Sequence, residues 1–325
     1  MTIVKRIFTW ILFAAGLALL LAGASLLFAP KDNTMESGME EVKANGVLGE
    51  KDNSLDVLVL GDSEAYSSIS PLQIWQDTGY TSYLCATSSQ TLDYSYALLQ
   101  RAFQDQSPKV VILETNAIYR KISPRTAFMT WLKQRFPIFR YHNRWKNLTW
   151  QDLTEETSYT WTDEAKGFRF STKVSPSTEQ NHMNPTQLQE KILPLNRHYV
   201  EKIQKLCKSH GAKFLLISTP STVNWNTSKH NGIHQLSQEL GCEYVDLNLE
   251  NDLLHIDWDR DTRDKGDHLN YFGAVKVTKF LSSYLQSTGL LTDHRKDPLF
   301  SSWDRSLKKY ETLVDAVKPP ESTSR

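Results

Sequence analysis

Three short segments of this 325-residue chain carry residue types able to perform acyl transfer. Gly61-Asp62-Ser63-Glu64 offers a hydroxyl just past a glycine, and Glu114-Thr115-Asn116 offers a side-chain amide. Asp261-Thr-Arg-Asp264-Lys-Gly-Asp267-His268-Leu-Asn270 offers an imidazole with carboxylates close by in sequence. Acyl transfer needs a nucleophile, a base to take its proton, and donors aimed at the developing oxyanion. Ser63 suits the first role and His268 the second, with an Asp to fix the tautomer and stabilise the imidazolium. Asn116 can offer its amide to the oxyanion. Singly, these residues are ordinary: a serine after a glycine is commonly an N-cap, and an asparagine after a strand commonly a turn residue. Their coincidence at three strand ends, in this order, singles them out.

The elements that would position them follow from the apolar pattern. Asp56-Val-Leu-Val-Leu-Gly61 reads as a buried strand of a parallel sheet, and further strands are expected at 80–85, 109–114, 213–217 and 243–246. Helices are expected near 72–77, over 91–105 (Leu92, Tyr96, Leu99 and Phe103 on one face), from Leu195 to Leu206, over 233–240, and around Val277 to Leu285. Five alternations of strand and helix predict a three-layer α/β/α doubly wound parallel sheet. In such a sheet working residues gather at the carboxyl ends of the strands, where the three segments fall.

At these residues the chain resembles the SGNH (GDSL-type) hydrolase superfamily over roughly residues 55–290. "GDSE" is similar to its first block, Asn116 to its third, and "DKGDHLNYFGA" to its fifth. "SPKVVILETNAIYR" and "RYHNRW" resemble the exported, membrane-tethered bacterial branch that modifies cell-surface polymers. The resemblance implies a flavodoxin-like fold, Ser63 as nucleophile and oxyanion donor through its own N–H, Asn116 as side-chain oxyanion donor, and His268 as base.

Three positions depart from the family pattern. Lys265 stands where the family places the triad Asp, which leaves Asp264 and Asp267 as candidates. Asp264 is preferred, because a short turn can bring it back onto the imidazole while adjacent side chains in an extended segment point apart. The second block lacks its glycine, so a backbone N–H from Ser88 or Ser89 would complete the oxyanion hole. Glu114 replaces a glycine, and its carboxylate either bonds loop amides or raises the pKa of His268.

Residues 7–29 form an uncharged apolar run preceded by Lys5 and Arg6. About 20 such residues span a bilayer core of roughly 30 Å, and the flanking cations place the N-terminus in the cytoplasm. The run continues past the cleavage-like Ala22-Gly23-Ala24, which favours an anchor over a cleaved signal peptide. Either reading exports the body. The expected organisation is an anchor or signal segment (1–30), a linker (31–54), the SGNH-like domain (55–296) with an insertion at about 117–190, and a loosely held polar tail (297–325) containing Pro319-Pro320.

The chain has 37 basic and 37 acidic residues, so its overall charge gives no argument for nucleic-acid or polyanion binding. Its three cysteines fit neither a disulfide framework nor a CxxC metal site. Neither a metal-ligand constellation nor a phosphate loop is visible, and no cofactor is expected. In the insertion, Tyr141, His142, Arg144 and Trp145 combine a cation, an imidazole and aromatic faces suited to a sugar ring. A structural Arg/His network is the alternative there. The expected activity is extracytoplasmic O-acyl transfer, acetyl in the first instance, through Ser63 to a cell-envelope glycan or teichoic-type polymer. Ester hydrolysis of the same polymers and an inactive glycan-binding scaffold are the alternatives. The resemblance further implies a multi-span membrane protein as acyl donor.

Overall fold

The computed structural model describes residues 2–179 and 181–317. Five short apolar runs form one parallel sheet: β1 (Val57–Gly61), β2 (Ser82–Ala86), β3 (Val110–Glu114), β4 (Lys213–Ser218) and β5 (Glu243–Asp246). Their order is β2-β1-β3-β4-β5. Every residue of the first three strands is buried, as a parallel sheet covered on both faces requires. This is the doubly wound three-layer fold expected from the pattern, with strand ends shifted by one or two residues. The chain steps from β1 to β2 on one side and returns to β3 on the other, and the carboxyl ends of β1 and β3 flank the crevice at that switch point. Register places Leu60 opposite Leu113, so Ser63 and Asn116 leave neighbouring strands at the same end of the sheet.

Two groups of helices cover the sheet. Leu92–Asp105 packs on Pro194–Ser209, which is tied to Thr227–Leu240 by Arg197 and Glu239. Pro71–Thr78 packs on Tyr271–Ser287 and Ser301–Asp315. Among the described residues one helix, Ile3–Phe28, is long and apolar enough to cross a membrane, and most of its apolar side chains are uncovered.

Two expected segments behave differently. The linker at 31–54 is packed down rather than extended. Asn33 is fully buried, donates to the carbonyls of Asn45 (3.0 Å) and Trp161 (2.6 Å), and accepts from the Trp161 N–H at 2.9 Å. Glu50 pairs with buried Lys166 at 2.7 Å. Its polar residues satisfy backbone groups of the insertion instead of facing water, a distinction composition does not carry. The insertion in turn covers edge strand β2, where Leu84 N–H donates to the Lys166 carbonyl at 3.0 Å.

The expected loose tail is, from Ser301 to Asp315, a packed helix. Trp303, Tyr310 and Val314 are buried, and Trp75 Nε1 donates to Asp304 at 3.1 Å. The apolar residues stand at helical spacing within a polar sequence, so average polarity concealed a continuous face. Pro319 and Pro320 lie outside the described residues.

Candidate active site

Ser63 opens the helix Ser63–Ser68, and Asp62 caps it, its Oδ1 accepting from the Glu64 N–H at 2.9 Å. Asp62 is completely buried, and its Oδ2 accepts from Asn116 Nδ2 at 3.1 Å and from Arg120 Nε. Gly61 is required at this bend: a Cβ there would lie 2.7 Å from Glu114 Cβ and 2.8 Å from Ala65 Cβ. Of the two roles open to Glu114, the structure gives the first, since both carboxylate oxygens accept from the Asn116 N–H at 3.2 and 3.1 Å. Asn116 is thus held by its backbone through Glu114 and by its side chain through Asp62. Its amide nitrogen has two protons, so one remains for a ligand.

His268 stands on a small antiparallel hairpin of β6 (Thr262–Arg263) and β7 (His268–Leu269), with Arg263 opposite His268. The hairpin loop runs through Asp264, Lys265 and Gly266, all at positive φ (59°, 60° and 89°). A Cβ on Gly266 would meet Thr222 Oγ1 at 2.1 Å, so this loop position admits glycine alone. The turn brings Asp264 Oδ2 to 3.4 Å from His268 Nδ1, and Asp267 Oδ2 reaches 3.5 Å, so the two distances do not separate the candidates. Asp264 also meets Arg263 (3.2 Å) and Lys173 (3.5 Å), whereas Asp267 accepts from Asn224. Neither ring nitrogen of His268 makes a hydrogen bond. The hairpin packs against the helix that Ser63 opens, and Arg263 Nη2 ties the two together through Ser67 Oγ at 2.7 Å.

Glu64 was not singled out from the sequence, yet it sits in this cluster. Its carboxyl is buried, and its donor atom lies with those of Asp267 and His268 within 4.8 Å of one another. Asn224 Nδ2 bridges the two carboxylates, donating to Glu64 Oε1 at 2.6 Å and to Asp267. Three such donors are close enough to share a cation, but Asn224 already serves both carboxylates. Asn224 follows the carboxyl end of β4, a fourth strand end at which a parallel sheet can place working residues. Arg120 carried no signal, because its pairing with Asp62 exists only in the fold.

Electrostatics divide the titratable groups. Burial first, then Asp62 and Glu114, hold Glu64 well above the usual carboxylate range. Burial and the Asp62 charge raise Glu114 likewise. Burial lowers the His268 pKa from its ordinary 6.5; Asp267 opposes this most strongly, Arg263 adds to it, and Asp264 opposes it again. A lowered pKa favours the neutral imidazole, the form able to accept a proton.

The remaining expected residues separate into two places. Ser88 and Ser89 lie at the end of β2, next to β1, on the rim of a cavity of about 240 Å³. Ser88 Oγ bonds to the hydroxyl of Tyr66, a residue of the Ser63 helix, at 2.9 Å. His142 and Arg144 belong instead to the turns packed on the N-terminal helix. Arg144 donates to the carbonyls of Phe28 (2.8 Å) and Ala29 (2.9 Å) and pairs with Asp152 at 2.6 Å. Its guanidinium caps the end of the N-terminal helix, a structural contact. His142 is exposed beside it. Burial pushes the thiols of Cys85 and Cys207 up to about 12 and that of Cys242 up to about 11, which leaves them unreactive.

No family model matches the chain, and no curated protein matches it. Solved structures with a similar chain path include a lipase/acylhydrolase from Enterococcus faecalis, 12% identical, covering 74% of this chain and 98% of that one at a TM-score of 0.40. A protein assigned to the G-D-S-L lipolytic family from Desulfitobacterium hafniense is 13% identical over 71% of this chain and 99% of its own, at 0.39. An assigned acylhydrolase from Bacteroides fragilis is 12% identical over 76% and 95%, at 0.37.

Proposed function

We propose that the chain is an SGNH-type serine enzyme, held outside the cytoplasm by its N-terminal helix, that transfers an acyl group, acetyl in the first instance, to a hydroxyl of a cell-envelope glycan or teichoic-type polymer. One observation carries the reading: His268, with Asp264 and Asp267 at 3.4 and 3.5 Å from its Nδ1 and no hydrogen bond at Nε2, stands on a hairpin tied by Arg263 to the helix that Ser63 opens.

Ser63 Oγ attacks the carbonyl carbon of the acyl donor, and its proton passes to His268 Nε2. The carbonyl oxygen becomes an oxyanion, which takes hydrogen bonds from the Ser63 N–H, the free amide proton of Asn116 and the Ser88 N–H. Collapse expels the donor's leaving group, which takes the proton from His268, and leaves acyl-Ser63. The acceptor hydroxyl then gives its proton to His268 and attacks the ester, so Ser63 is restored when the proton returns to its oxygen. Asp264 and Asp267 stabilise the imidazolium in both halves. Water in place of the acceptor gives hydrolysis by the same residues.

The test is an activated aryl acetate offered to the protein with and without an oligosaccharide acceptor, alongside Ser63→Ala. Acetylated acceptor that depends on Ser63 supports transfer, and free acetate alone supports hydrolysis. Turnover unaffected by Ser63→Ala, or no turnover at all, removes the enzyme reading.

A further inference from the structure

The balanced charge of the whole chain conceals a local imbalance. A cavity of about 590 Å³ opens beside the end of the N-terminal helix, and Ala29 and Pro30 form part of its wall. Five cations line it, Arg101, Lys133, Arg135, Arg140 and Lys202, and no carboxylate does. Arg140 alone is ion-paired, with Glu40 at 2.9 Å. Arg101 meets a neutral amide, that of Asn45, and Lys202 lies over the Tyr96 ring at 4.3 Å. Among the described residues, the other four cations have no carboxylate at ion-pair distance. Cations gathered this way repel one another unless an anion joins them.

The position of the cavity narrows the class of anion. The turns Ile138–Tyr141, His142–Lys146 and Gln151–Thr154 pack on the N-terminal helix, and the Ile138 N–H donates to Ser25 Oγ at 3.4 Å. Around them Trp131, Trp145 and Trp150 are exposed, with Trp131 stacked on exposed Phe128 at 5.8 Å. Exposed tryptophans beside the end of a membrane-crossing helix mark the level of the lipid headgroups. The smaller cavity that reaches Ser88 shares Lys133, Gln134 and Arg140 with this one, so the two adjoin.

We propose that this basic cavity binds the phosphodiester headgroup of an anionic membrane lipid. Lys133, Arg135 and Lys202 supply charge, Arg101 adds planar guanidinium donors, and Trp131 in the cavity wall lies against the lipid's glycerol and upper chains. The proposal rests on the Ile3–Phe28 helix crossing the membrane and is independent of the chemistry assigned to Ser63.

The experiment uses the full chain in nonionic detergent with equal concentrations of phosphatidylglycerol and phosphatidylcholine, the retained lipid being counted by native mass spectrometry. Phosphatidylglycerol is expected to be retained at least tenfold over phosphatidylcholine. The exposed pair Lys133→Glu/Arg135→Glu should bring the ratio to near one, with thermal unfolding unchanged. Lys279→Glu/Lys308→Glu, the same charge change on a distant surface, should leave it intact. Soluble glycerophosphoglycerol should compete at least tenfold more weakly than the lipid. Equal retention of the two lipids, or a preference that survives the Lys133/Arg135 change, overturns the proposal. Competition by the soluble headgroup at equal concentration overturns it in favour of a water-soluble phosphodiester.

Discussion

Asp62 and Asn116, from the ends of neighbouring strands, are joined by a buried hydrogen bond of 3.1 Å from Asn116 Nδ2 to Asp62 Oδ2. The carboxylate that begins the Ser63 helix therefore also orients the amide proposed for the oxyanion. Ser63 and Asn116, the proposed nucleophile and oxyanion donor, are thus positioned by one side chain.

Asn116→Ala should lower kcat for the aryl acetate by roughly 10²- to 10³-fold with little change in KM, the range for loss of one oxyanion donor. Asp62→Asn should act in the same direction through misorientation of Asn116, with the protein still folded by circular dichroism. An unchanged kcat in Asn116→Ala would remove that residue from the site.

The two carboxylates flanking His268 are distinguished by their other partners. Asp264 divides its charge among Arg263, Lys173 and the ring, while Asp267 acts more strongly on the imidazole. Asp267→Asn is therefore expected to cost more in kcat than Asp264→Asn, and the double variant to approach the roughly 10⁴-fold loss of a triad without its Asp. Steady-state kinetics on the three variants decides the order.

Because burial lowers the His268 pKa, the acid limb of kcat/KM should fall below pH 6.5. Arg263→Gln removes a nearby cation that disfavours the imidazolium, so it should move that limb to higher pH. A pH–rate profile with its acid limb above 6.5 in the unaltered protein contradicts a neutral buried base.

Glu64 titrates in the opposite sense. Its folded pKa is raised, so its contribution to stability is fully present below the unfolded carboxyl value of about 4.5 and is lost as pH rises through the raised folded value. Glu64→Gln keeps an oxygen to accept from Asn224 and cannot ionise. The variant should gain stability relative to the unaltered protein as pH rises from 4 to 8. Urea denaturation at several pH values measures this.

The terminal helix should matter for stability and not for chemistry. Trp303 is 1% exposed and lies against Trp75 with ring centroids 5.6 Å apart. Trp303→Ala should cost roughly 3–5 kcal/mol, with kcat for the aryl acetate unchanged below the unfolding temperature. Arg144→Ala should also lower stability and leave kcat unchanged, since it removes the ion-pair partner of Asp152 while the Thr149 hydrogen bonds to that carboxylate persist.

The parts of this protein legible in its sequence are those set by local pattern. Val57–Gly61 is apolar throughout and ends in glycine, the pattern of a buried strand, and the strand-end rule then draws attention to Ser63. The three strand ends could be named because parallel strands all deliver their carboxyl ends to one edge. The run from Ile7 to Ala29 declared itself by length and lack of charge. Tertiary structure decided what depends on partners distant in sequence. Arg144 has the chemistry of a sugar contact, and the helix end it meets made it a cap. Glu64 and Asn224 are unremarkable in sequence and meet beside His268 because β1, β4 and the hairpin converge. Residues 31–54 and 301–315 are polar on average, and only docking showed which side chains face inward. Five cations scattered among equal numbers of charges became a basic cavity when the insertion folded against the Leu92–Asp105 helix. Hydrophobic periodicity is written along the chain, whereas the pairing of polar groups is a property of the packed surface.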